Sequence, residues 1–267
     1  MVVMFNEEQL DKVFFEISGN LQFPIDGFLI GGLAMIKNKM KTATKDIDIV
    51  FSSEREARAF MEAALDVGFE LDSDLPPEYE EMGPSYVLID PEERRLDVFV
   101  KVVVRKLEYT DAMKRRSKEL KYGKLRIHVS SINDIFLFKC VATRPRDLDD
   151  MELLAKTGYL DWTVVEGEAR NQRTPWKWIG ILYSRLMELE DKSGITAPNM
   201  KELGKEAELG QGIELVLNFL QNGSLSRSEL INKFDEVDAS FAENVILRMI
   251  EMRLIRDENG RLVLIEK

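Results

Sequence analysis

Residues 46–51 read Asp-Ile-Asp-Ile-Val-Phe. Side chains on a strand alternate between its two faces, so Ile47 and Ile49 are expected to point into a core. Asp46 and Asp48 then share the opposite face, about 6.6 Å apart. Two carboxylates side by side in a partly buried place raise each other's pKa and are costly to keep ionised. A divalent cation removes that penalty. An all-oxygen ligand set selects Mg²⁺ or Mn²⁺, with phosphate oxygens of a substrate completing the octahedron.

A third carboxylate has a similar setting. In Arg94–Val104, Leu96, Val98 and Val100 alternate inward and Asp97 points to the other face. If this strand lies beside residues 46–51, three carboxylates converge. That is enough for two metal ions about 4 Å apart, the arrangement used for in-line phosphoryl or nucleotidyl displacement. Gly31-Gly32 follows the apolar run Phe28–Ile30. Glycine at a strand-to-helix turn lets a ligand approach the backbone, and a helix beginning there would aim free N–H groups at phosphate.

The rest of the chain predicts an α/β (α+β) protein. Leu10, Val13, Phe14 and Ile17 share one helical face within residues 6–18, and residues 33–40 have a helical pattern. Ser53 caps a helix with Glu54 and Glu56 in its first turn. "LDSDLPPEYEEMGP" is an acidic, proline-bearing loop; strands follow at 85–90 and 94–104, joined as a hairpin by the turn at Pro91–Glu93. A helix fits 110–120 and a strand fits 124–129. From 131 to 209 the pattern is helical, with breaks at Pro145, Gly158, Pro175 and Pro198. Gly210 and Gly212 mark the start of a last unit of three helices and a hairpin turning at Asn259-Gly260, the order of a winged helix-turn-helix. The expected domains are a catalytic core over 1–130, a helical extension over 131–209 and a winged helix over 210–267.

The quoted motifs resemble those of the polymerase-β-like nucleotidyltransferases, in particular a minimal, toxin-like branch near the abortive-infection (AbiEii-like) systems. That family carries an apolar strand, Gly-Gly or Gly-Ser, a short helix, a DxD strand and a later single-carboxylate strand. Gly31-Gly32, Asp46-Ile47-Asp48 and Asp97 look like these elements. "SSINDIFLFKCVATRPRDLDDMELL" is similar to the branch's helical motif, so the likeness spans residues 25–157. It implies a mixed sheet with helices. It also implies that Lys139 contacts nucleotide phosphates, with Arg144, Arg146 and Asp147 as the neighbouring motif and Asp150 as a further candidate. The chain departs from the pattern at Gly32, where many relatives carry Ser, leaving Thr42 or Thr44 to supply a hydroxyl. The gap from Gly32 to Asp46 is also longer than in minimal members.

The implied activity is a Mg²⁺- or Mn²⁺-dependent transfer of NMP from an NTP to a hydroxyl acceptor, with pyrophosphate release. Asp46, Asp48 and Asp97 would be both metal ligands and catalytic residues. Two alternatives stand beside it. One is an inactive nucleotide-sensing or partner-binding module of the same fold; the other is a winged-helix DNA-binding regulator. A net charge of −11 excludes nucleic-acid binding over the whole surface. Residues 101–126, however, hold ten Lys or Arg against Glu108, Asp111 and Glu119. Lys114, Arg115 and Arg116 there would suit a tRNA or other RNA acceptor, or form a solvated face; a protein acceptor fits the chemistry equally.

The last unit has seven Lys or Arg against ten Asp or Glu, which disfavours DNA and favours a homodimer contact, an antitoxin partner or a lid. His128, the single histidine, and Cys140, the single cysteine, read as structural. Trp162, Trp176 and Trp178 suit helix packing. One cysteine excludes an intramolecular disulfide. With no membrane span and no leader pattern in the sequence, a cytoplasmic protein is expected.

Overall fold

The computed structural model describes residues 5–72, 83–104, 107–142, 144–234 and 239–265. Most of the acidic loop read above lies outside them. The chain divides into two compact units. One contains residues 1–172 and 185–196, the other residues 173–184 and 197–267.

The first unit is built on a mixed seven-stranded sheet of order β3-β4-β5-β2-β1-β9-β8. Its strands are β1 (Ile25–Ile30), β2 (Asp46–Phe51), β3 (Glu70–Leu71), β4 (Tyr86–Ile89), β5 (Arg95–Val100), β8 (Lys118–Tyr122) and β9 (Leu125–Val129), and a two-stranded ribbon joins β6 (Val102–Val103) to β7 (Leu107–Glu108). Strand β2 runs antiparallel to β1 and parallel to β5. It occupies the residues whose alternation predicts it.

One face of the sheet packs against α1 (Glu7–Asn20) and α3 (Glu54–Leu65). Asn6 opens α1 with a reciprocal cap to Gln9, and Leu10, Val13, Phe14 and Ile17 are buried. Ser53 caps α3, and Phe60 of α3 packs on Phe51 of β2 with ring centroids 5.1 Å apart. The opposite face, which carries the carboxylates, meets α2 (Gly31–Lys37), and α5 (Ile132–Ala142) packs on α2. Then follow α6 (Pro145–Lys156), with proline in its first turn where the missing N–H is harmless, and α7 (Trp162–Arg170).

Two expectations fail here for physical reasons. The helix expected over 110–120 stops early, as α4 (Asp111–Arg116). Residues 118–122 instead form β8, because pairing with β9 around Gly123 satisfies their backbone groups and outweighs helix propensity. Gly210 and Gly212 do not break the chain. They lie within one continuous helix, α9 (Met200–Gln221). A Cβ at Gly210 would meet the Trp176 carbonyl oxygen at 2.9 Å and one at Gly212 would meet Val245 at 2.6 Å. These glycines permit close packing rather than a turn.

The second unit holds residues 175–184 of α8 (Pro175–Ser193), then α9, β10 (Leu225–Ser226), α10 (Arg227–Ile231), α11 (Ala239–Glu251), β11 (Ile255–Glu258) and β12 (Arg261–Leu264). Ser226 caps α10 in a reciprocal box with Glu229. The β11–β12 hairpin turns at Asn259 and Gly260, both at positive φ. Its core gathers Ile213, Val216, Leu230, Val245, Ile246, Met249, Ile255 and Leu262.

Candidate active site

Asp48 on β2 stands directly opposite Asp97 on the parallel strand β5, and Asp46 stands opposite Arg95. Neighbouring strands lie about 4.8 Å apart, so the three aspartates share one sheet face. Asp97 is 1% exposed, and among the described residues its Oδ1 has no hydrogen-bond partner. A buried, unpaired carboxylate oxygen is costly unless a ligand, ion or proton meets it. Burial, followed by repulsion from Asp48 and Asp46, pushes the Asp97 carboxyl up to about 8, against the opposing pull of Arg95 and Arg144. Burial and then Asp46 push Asp48 up to about 6, against Lys139, Arg144 and Arg146.

The Gly31-Gly32 turn is shaped around these groups. Gly31 sits at φ +62°, and a Cβ there would stand 2.1 Å from Asp48 Oδ2. Only glycine leaves that oxygen its place. A Cβ on Gly32 would stand 2.7 Å from Thr44 Oγ1, so the Thr44 hydroxyl fills the space beside Gly32. Thr44 is held by a backbone bridge to Phe5 and donates its hydroxyl to the Asp46 carbonyl at 3.1 Å. Thr42, the other hydroxyl considered, is exposed. Helix α2 is seven residues long. A dipole that short gives little anion attraction of its own, so anion binding here rests on cationic side chains.

Those cations line a cleft of about 150 Å³ with Gly32, Thr44, Asp46 and Asp48: Lys41, Lys45, Lys139, Arg144 and Arg146, with Asp150 among them. Lys139 is buried and divides its charge between Asp147 Oδ1 at 2.9 Å and Asp150 Oδ2 at 2.8 Å. Arg144 Nε donates to Asp147 Oδ2 at 2.9 Å. Burial alone would raise the Asp147 carboxyl, but Lys139 and Arg144 outweigh it and hold it below its ordinary value. Arg146 reaches Asp46 Oδ2 at 3.6 Å. Lys41 pairs with Asp150 Oδ1. Sequence reasoning missed Lys41 and Lys45, whose only signal is the lysine-rich run "KNKMKTATK" between the diglycine and the aspartates.

Lys114, Arg115 and Arg116 lie on α4, apart from the residues that line this cleft. Lys114 pairs with Asp111 at 3.0 Å and stands 5.8 Å above the Phe28 ring. Arg115 is exposed. Arg116 bridges the buried carboxylates of Asp134 and Glu168 at 2.5 and 2.6 Å. His128 pairs with Asp26 at 2.8 Å and stacks on Phe28. Cys140 is buried, and Trp162 packs edge-on to Phe136.

The donor set fits a hard divalent cation. The available donors are carboxylate oxygens, one of them buried and unsatisfied, and the backbone withdraws at Gly31 to leave Asp48 Oδ2 open. Among the described residues no group of three or more His, Cys, Asp or Glu side chains is arranged to hold a metal ion. Mg²⁺ does not require such a group. It is commonly bound by one or two carboxylates together with substrate phosphates.

A glycine-lined turn, paired carboxylates on parallel strands and a cationic cleft at Asp48 together form one candidate site. The chain belongs to the family described as "Nucleotidyltransferase of unknown function (DUF6036)", which it matches over residues 8–180. None of the curated proteins matches it. Among solved structures it is similar to an antigenic nucleotidyltransferase-like protein from Paracoccidioides brasiliensis, at 16% identity over 76% of this chain and 95% of that one, with a TM-score of 0.43. It is also similar to a "putative nucleotidyltransferase from H. pylori", at 17% identity over 77% and 96% of the two chains, with a TM-score of 0.36. Among the described residues no helix is long and apolar enough to cross a membrane.

Proposed function

We propose that the cleft binds a nucleoside triphosphate and that the protein transfers its nucleoside monophosphate to a hydroxyl acceptor. The observation that carries this is the register of Asp48 against Asp97: Asp97 has an unsatisfied buried oxygen, and Asp48 lines a cleft with five cationic side chains. In the reaction the acceptor oxygen bonds to the α-phosphorus, the bond from that phosphorus to the β-phosphate oxygen breaks, and pyrophosphate leaves. Asp97 takes the proton of the attacking hydroxyl. Lys139 and Arg144 offset the charge that collects on the departing pyrophosphate, and Asp147 holds both in place. Asp46 and Asp48, with Asp97, are the residues that would hold Mg²⁺ or Mn²⁺. When bound, the ion would neutralise triphosphate charge and polarise the α-phosphate.

The acceptor class in this proposal is an RNA 3′ end or a protein hydroxyl. Arg116 is committed to Asp134 and Glu168, which leaves Lys114 and Arg115 as the α4 cations for a nucleic-acid acceptor. The second unit is read as a winged helix-turn-helix. Its acidic balance supports contact with a protein, a second copy of the chain or an antitoxin, in a cytoplasmic toxin–antitoxin setting, over contact with DNA.

Calorimetric titration of each NTP in the presence of Mg²⁺ tests the binding step. Saturable binding by the wild-type chain, lost in Asp46→Ala, Asp48→Ala, is expected. Equal binding by both proteins would remove the carboxylates from the site.

A further inference from the structure

We propose that the loop joining α2 to β2, residues 38–45, grips the outer phosphates of the triphosphate, with Lys41 as its cation and Thr44 as its hydroxyl. This rests on the nucleotide reading above and adds to it the element that distinguishes a triphosphate from shorter phosphates. Lys139 and Arg144 line both the polar cleft and a smaller apolar pocket bounded by Ile30, Phe99 and Phe138, and Asp48 lies on both. They therefore stand at the reacting end. Lys41 and Thr44 line the polar cleft but not the apolar pocket. A chain of phosphates starting over Asp48 and running along the polar side arrives at this loop.

The loop is prepared for that task. Asn38 donates to the carbonyls of Ala34 and Ser130, and Thr44 exchanges two backbone hydrogen bonds with Phe5, at 2.7 and 3.1 Å. Both ends are thus fixed. Lys41 is about one-third exposed and is held by Asp150, a side chain only 6% exposed that also holds Lys139. One buried carboxylate so positions two ammonium groups, one from the loop and one from α5. The missing Cβ of Gly32 is what admits Thr44 Oγ1 to the cleft. A threonine hydroxyl hydrogen rotates freely, so it can leave the Asp46 carbonyl for a phosphate oxygen.

The test is competition by inorganic tripolyphosphate and by orthophosphate against a labelled NTP, with Mg²⁺ and the full chain. Lys41→Met is expected to weaken tripolyphosphate roughly tenfold, Thr44→Val a few-fold, and neither to change orthophosphate. Lys41→Arg is expected to retain most of the affinity. Gly32→Ala is expected to behave like Thr44→Val, because its methyl displaces the hydroxyl. If Lys41→Met, folded by circular dichroism, binds tripolyphosphate like the wild type while the wild type binds NTP, the loop assignment fails and the nucleotide reading stands. If the wild type binds neither tripolyphosphate nor NTP, both fail.

Discussion

Asp48 and Asp97 face each other across adjacent parallel strands, with Asp97 almost fully buried and one of its oxygens without a hydrogen bond. A fold selected only for stability would not keep that pair, because two carboxylates so placed oppose each other's ionisation. The consequences can be measured without knowing the substrate.

Stability of the metal-free protein is expected to fall as pH rises from about 4 to about 8. In the folded chain burial and repulsion from neighbouring aspartates push the Asp48 carboxyl up to about 6 and the Asp97 carboxyl up to about 8, from an ordinary value of 3.8. Within that window the folded state holds protons that the unfolded chain has released. The slope of unfolding free energy with pH is therefore negative. Below the window both states are protonated and the full stability is present. Melting temperature recorded against pH checks this. Millimolar Mg²⁺ is expected to flatten the fall, because the ion binds the deprotonated carboxylates.

Asp97→Asn removes the charge but keeps the shape. It is expected to raise the melting temperature of the metal-free protein at pH 8 while lowering transfer on the order of a hundredfold or more, the usual loss when a general base is removed. Paired melting and activity measurements on the one variant separate this from a folding defect, which would lower both.

Gly31→Ala places a methyl 2.1 Å from Asp48 Oδ2 in a backbone held at φ +62°. The left-handed conformation alone costs a non-glycine residue about 1–2 kcal/mol. Denaturant unfolding should show at least that loss, and nucleotide binding should weaken as Asp48 is displaced.

Arg116→Ala leaves Asp134 and Glu168, both under 5% exposed, without the guanidinium they share. Losing one partner of a buried pair costs about 3–5 kcal/mol, so a large loss of stability is expected in chemical denaturation. Arg115→Ala, at an exposed position, should change stability by less than about 0.5 kcal/mol. The contrast separates a brace from a surface cation within one basic run.

Much of this architecture was legible because it depends on neighbours in sequence. The Asp-Ile alternation marks β2, Ser53 and Ser226 announce their helices, and Asn259-Gly260 announces its turn. What stayed hidden depends on distant partners. Residues 118–122 become a strand only because β9 offers them a ladder. Gly210 and Gly212 look like a break until Trp176 and Val245 are seen against them. The approach of Asp48 to Asp97 could be posed only as a condition, since nothing local fixes which strands are neighbours. Lys41 carries no local signal that singles it out, because its tie to Asp150 joins a loop and a helix far apart along the chain. Arg116 read as an acceptor-binding or solvated cation because its two carboxylate partners come from α5 and α7.

The most direct measurement is label transfer. Purified protein would be incubated with Mg²⁺ or Mn²⁺, each α-labelled NTP in turn and total prokaryotic tRNA, beside Asp46→Ala, Asp48→Ala. Label entering RNA or protein, and absent with the double variant, is the expected result, and it would name the nucleotide and the acceptor class. NTP bound in the presence of metal but no label transferred to RNA or to protein would contradict catalysis and leave a nucleotide-sensing module.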